Sequence, residues 1–186
     1  EVKFQPQYLH LGLLLHATRG IQIATDALAQ SGEKALKALQ GRCRALHLKQ
    51  LSFKCRLFDT LVEPILSYGS HVWGPCVVSK RKLWADPCKA STSADKLHLT
   101  FLRHLSGAGK HASTAVLLQD FDRAPLWMRW VTLGVRWLQK LQAMSPDADE
   151  GNSGRLAYNA WLADIDLYLA GCTECWTASL LSVLGQ

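Results

Sequence analysis

Three short patterns carry residue types that do chemistry. Cys172-Thr-Glu-Cys175 has the spacing of a metal-ligand pair, but a closed structural zinc site needs about four ligands. No second Cys/His pair with finger-like spacing follows it, and two helices meeting at Gly171, with Cys175 opening the second, account for the pair. Gly107-Ala-Gly-Lys110 resembles the end of a phosphate-binding loop, yet His104 stands where its first glycine belongs and His111 where its Ser/Thr belongs. Asp164 and Asp166 resemble a two-metal carboxylate pair. On a helix, residues two apart point about 200° apart, so the two cannot share one ion. No nucleophile–base set emerges, and neither a catalytic nor a metal-binding residue is assigned.

What remains is positive charge. Lys34, Lys37 and Arg44 fall in one helical segment, and Lys37 and Arg44 lie about 20° apart around its axis. Such a face can follow a row of phosphates without reading sequence, in a salt-sensitive way. It can equally be a solvated helix face. Arg129, Arg136 and Lys140 form a second group beside Trp130 and Trp137. That pairing suits base stacking on single strands, but Leu133, Val135 and Leu138 nearby favour tryptophans in a core with cations at its rim.

The elements that hold these groups follow from periodicity. With 186 residues and 48% hydrophobic content, the chain can bury a core as one domain or two small ones. Residues 2–16 read as extended, a hairpin or the last strand of a sheet, ending near Thr18-Arg-Gly20. Helical spacing begins at Ile21 and runs through Leu28, Leu36, Leu39 and Cys43, with a bend or restart expected at Ser31-Gly32. A second helix runs from Leu51 to Leu66, and Pro64 should kink or break it. Residues 74–92 read as irregular. The Thr92-x-x-Asp95 box should then open a helix reaching about His104. A short helix is expected near 113–119, then a long one with Asp122 as its N-cap, Pro125 in its first turn and its end near Met144. Residues 145–154 are the clearest linker, and helices over 155–170 and 175–184 complete a mainly α chain with a short N-terminal β-hairpin.

Charge is uneven along this order. Residues 1–110 hold 16 Lys/Arg against 7 Asp/Glu, and residues 111–186 hold 5 against 8. The front part is therefore expected to meet a polyanion partner or to present a solvated basic surface, and charge alone does not choose between them. No apolar run reaches the roughly 18 residues of a membrane span, and no signal-peptide pattern opens the chain, so no membrane partner is expected. Six cysteines in a core-forming chain suggest reduced thiols and an intracellular location. The chain opens on Glu1 rather than Met, so a preceding segment is expected.

Three stretches together resemble the C-terminal part of reverse transcriptases from LINE-type (non-LTR) retrotransposons. They are Leu57-Phe-Asp-Thr-Leu-Val-Glu-Pro-Ile-Leu-Ser-Tyr-Gly69, Val72-Trp-Gly74 and Phe101-Leu-Arg-His-Leu-Ser-Gly107. Leu11-Gly12 near the start is similar to the primer-grip hairpin of that family. The family commonly has an aromatic just upstream, a region held here by Tyr8 and His10. The resemblance implies an end-of-palm, primer-grip-like strand or hairpin over 1–20, a thumb-like helical bundle over 21–111, and a post-thumb helical region over 112–186. It implies that Lys34, Lys37, Arg44 and Arg103 hold an RNA–DNA hybrid or other nucleic acid by its backbone, while Pro64, Tyr68 and Trp73 shape the bundle. It also implies that fingers and palm precede this chain, with Mg2+ on a Tyr/Phe-x-Asp-Asp turn that this sequence lacks, and that the protein is nuclear. On this reading the chain needs no cofactor of its own. A free-standing helical interaction protein derived from such an element, or a decayed relic, remains an open alternative.

Overall fold

The computed structural model describes residues 5–10, 12–18, 20–81, 85–144 and 153–185. Among them the chain is mainly helical, with nine helices and one two-stranded antiparallel sheet at the N-terminal end. It groups into two compact units, residues 1–68 with 88–126, and residues 69–87 with 127–186.

The first unit begins with strands β1 (Gln7–His10) and β2 (Leu13–His16), paired Gln7 to His16 and His10 to Leu13. Gly12 sits in their turn at φ +86°, a left-handed conformation that a side chain disfavours. The nearest atom to a Cβ placed on it would be Cε1 of Tyr68 at 3.5 Å, so its need for glycine is conformational. β2 packs on helix α1 (Ile21–Ala45), which is continuous through Ser31-Gly32. The expected bend there is absent, and the glycine serves a close crossing instead. A Cβ on Gly32 would lie 2.4 Å from Leu66 Cδ2, so only hydrogen lets α1 approach α3 (Glu63–Leu66) this closely. Helix α2 (Leu51–Leu61) stops just before α3, where Pro64 stands in the first turn, as its missing donor demands.

Helix α5 (Ser93–Ser106) is opened by the expected capping box. Thr92 Oγ1 accepts the Asp95 N–H at 3.1 Å, and the Asp95 carboxylate accepts the Thr92 N–H at 3.0 Å. Its buried side lies against α1 and meets α6 (Thr114–Asp120) at the far end. Phe58, Phe101 and His98 stack in this core, Phe58 lying 4.4 Å from Phe101 and 5.4 Å from His98 between ring centroids. The Arg123 guanidinium covers Phe58, bonds the Asp59 carboxylate and donates to the Cys55 carbonyl at 3.2 Å. Asp122 does not act as an N-cap. It takes a left-handed φ of 50° in the turn after α6, and the next helix starts only at Leu126, beyond Pro125.

The second unit holds α4 (Ser70–Val78), most of α7 (Leu126–Gln142), α8 (Ser153–Leu169) and α9 (Trp176–Leu184). The irregular segment expected from residue 74 is corrected here: α4 continues through Gly74-Pro75 to Val78. A proline inside a helix leaves the carbonyl four residues earlier without its donor. That carbonyl belongs to His71, and the Trp176 indole N–H fills it at 3.1 Å. Gly74 permits the other close contact, since a Cβ there would lie 2.9 Å from Trp130 Cβ. Trp73 and Trp130, both buried, meet edge to face at 4.9 Å. The expected linker over 145–154 lies outside the described residues except at Ser153 and Gly154, which begin α8.

Candidate nucleic-acid interface

Helix α1 divides its surface by residue type. Ala24, Leu28, Gly32, Leu36, Leu39 and Cys43 are buried, while Lys34, Lys37 and Arg44 are exposed. At about 100° per residue the three cations fall within an arc of about 80°, on the side away from the buried stripe, spread over roughly 15 Å of axis. Lys37 pairs with Glu33 at 2.7 Å, both side chains being well exposed, so the pair is loose and readily exchanged for another anion. Neither Lys34 nor Arg44 has an ion-pair partner among the described residues.

Arg103 stands apart. It lies on α5, is half-buried, and its Nε is buried without a hydrogen-bond partner. Leu11 lies outside the described residues, and Gly12 is in the β-turn already described.

At the far end of α1 the cations continue around a cavity of about 310 Å³ that residue spacing does not reveal. Leu39, Cys43, Leu48, Phe101 and Leu105 make its apolar wall, and Gln40, Arg44, His47, Lys49, Lys54 and His104 supply its polar groups. No Asp or Glu lines it. His47 turns the chain out of α1 at φ 52°, with its N–H on the Arg44 carbonyl at 3.1 Å and the Leu48 N–H on Cys43 at 2.9 Å. These two bonds form a Schellman-type cap, in which a left-handed residue closes the helix. Among these six polar residues only Arg44 stood out by sequence. The overlooked signal is Lys54 in the opening turns of α2, which has no acidic residue in its first turn although a helix N-terminus favours negative charge.

The remaining chemical patterns have structural roles. Asp164 accepts the N–H groups of Trp176 at 3.0 Å and Thr177 at 2.7 Å, capping α9 from α8. Cys175 is the N-cap residue of α9, its sulfur accepting the Ala178 N–H at 3.5 Å. All six cysteines are free thiols, and no cluster of three or more His, Cys, Asp and Glu that could hold a metal occurs among the described residues. Trp130 is fully buried. Trp137 is half-buried, with Lys140 over its ring at 5.6 Å and His71 against it at 5.0 Å. Burial, with the Lys140 charge second, holds the His71 pKa below its ordinary value. Among the described residues, no helix is long and apolar enough to cross a membrane.

No family model, curated protein or solved structure matches this chain.

Proposed function

We propose that this chain is the thumb-side part of a LINE-type reverse transcriptase, holding a template–primer hybrid by its backbone. The observation that supports it is the exposed row of Lys34, Lys37 and Arg44 on the longest helix, opposite a fully packed face. Phosphate contacts of this kind fix position and carry no base information. Catalysis then belongs to a palm and fingers preceding these residues, where aspartates hold Mg2+, and the protein works in the nucleus.

Fluorescence anisotropy with an RNA–DNA hybrid tests the reading. Binding should fall steeply between about 50 and 200 mM salt, since each phosphate contact contributes a slope of roughly 0.7–0.9 in log Kd against log salt. Lys34→Ala, Lys37→Ala and Arg44→Ala together should lower that slope by about 2. Failure to bind any nucleic acid even at low salt refutes it.

A second reading, a helical interaction protein, is favoured by the exposed Leu156, Leu167 and Leu169 of α8. Sedimentation that shows a defined dimer, lost on replacing these leucines by serine, would support it.

A further inference from the structure

We infer that the cavity between the end of α1, the start of α2 and α5 binds a phosphomonoester carried on a flat aromatic body, of the kind found in a nucleoside 5′-monophosphate. The inference goes beyond backbone holding, because it assigns a discrete pocket rather than a charged face.

The volume of about 310 Å³ lies at the lower end of what small-ligand sites enclose. Its lining sorts by chemistry. Phe101, Leu39 and Cys43 are buried and give a fixed apolar floor, with Leu48 and Leu105 half-buried beside them. Arg44, Lys49 and Lys54 bring three formal positive charges with no carboxylate among the lining residues. None of the three has an ion-pair or side-chain hydrogen-bond partner among the described residues. Arg44 and Lys49 are exposed and Lys54 is half-buried, so the three charges are partly screened, and an anion seated among them can be met by all three.

Charge and shape narrow the ligand. A phosphomonoester carries about −1.5 to −2 charge at pH 7, against −1 for a carboxylate, and presents three acceptor oxygens. It matches three cations better than a fatty acid would, and the limited volume argues against a long acyl chain. His47 and His104 add planar rings on which an aromatic base can stack.

The same chemistry arises from a free nucleotide or from the 5′-phosphorylated end of a strand, and a binding series separates the two. Isothermal titration of the full chain would use AMP, adenosine, inorganic phosphate, and a short single strand with either a 5′-phosphate or a 5′-hydroxyl. AMP should bind at least about tenfold more tightly than adenosine or inorganic phosphate. A 5′-phosphorylated strand that outcompetes AMP, while its 5′-hydroxyl twin does not, assigns the site to strand ends; AMP alone assigns it to the free nucleotide. Lys49→Glu with Lys54→Glu should weaken AMP at least tenfold, whereas Lys34→Glu with Lys37→Glu, outside the cavity, should leave it unchanged. Circular dichroism confirms that each variant is folded, and His104→Ala gives a charge-neutral second probe that should also weaken AMP. AMP binding no tighter than phosphate, or unaffected by the Lys49/Lys54 pair, overturns the inference. Hybrid binding sensitive to Lys34 and Lys37 can persist in that case, so the two readings fail separately.

Discussion

Replacing Gly32 by alanine adds one methyl to the buried face of α1, and replacing Gly41 adds the same methyl to its exposed face. Both changes remove a helix-interior glycine, which favours the helix by about 0.8–1.0 kcal/mol each. At Gly41 nothing lies within 4 Å of the added Cβ, so that gain should appear almost whole, as a stabilisation of about 0.8 kcal/mol. At Gly32 the added Cβ would sit 2.4 Å from Leu66 Cδ2 and 3.1 Å from its Cγ. Leu66 is itself 1% exposed, so it has no free space into which to swing. Overpacking of this type costs about 1–3 kcal/mol, which exceeds the propensity gain. Gly32→Ala should therefore destabilise by about 1 kcal/mol, with the two variants on opposite sides of the wild type. Urea unfolding followed by circular dichroism, analysed at constant m, measures both. Adding Leu66→Ala removes the obstructing methyl, so the pair should be less destabilised than the two single costs together. If Gly32→Ala stabilises as much as Gly41→Ala, the close approach of α1 and α3 is wrong.

Three further outcomes follow from polar groups held in or against the packed helices. Burial holds His98 at a pKa of about 4, with the Arg123 charge adding to the effect and Asp95 and Asp59 opposing it. Because the folded value lies below the ordinary 6.5, stability is full above pH 6.5 and falls as pH drops towards 4. The wild type should lose about 2 kcal/mol between pH 7.5 and 5 through this group, and His98→Gln should flatten that part of the profile in urea titrations; equal slopes refute it. Trp176→Phe should cost about 1 kcal/mol beyond lost packing, because it leaves the His71 carbonyl unfilled. In a Pro75→Ala background the restored helical N–H should cut that penalty, and a thermal-unfolding double-mutant cycle reads the difference. Asp164→Ala should cost about 1–2 kcal/mol by uncovering two N–H groups of α9, with faster hydrogen exchange at Thr177 as its local signature.

The sequence by itself determined the kind and order of elements, because those depend on groups close along the chain. The Thr92–Asp95 box is three residues long and needs no tertiary partner, so α5 opens where expected. Pro64 lacks a donor wherever it stands, and the helix breaks there. The solvent-facing row of Lys34, Lys37 and Arg44 was likewise legible, since helical period alone groups it.

Tertiary structure decided what distant residues supply. Gly32 and Gly74 are helix breakers by propensity, yet both lie inside helices because Leu66 and Trp130 pass where a Cβ would be. Pro75 stays helical because the indole of Trp176, far along the chain, answers the carbonyl it orphans. Asp122 offered a capping side chain, but the turn after α6 claimed it first. The cationic cavity joins the end of α1, the start of α2 and three residues late in α5. No periodicity links those positions. Only the packing of α1 on α5 brings His104 and Phe101 to Arg44 and Lys54, since contact, unlike propensity, is a property of the folded chain.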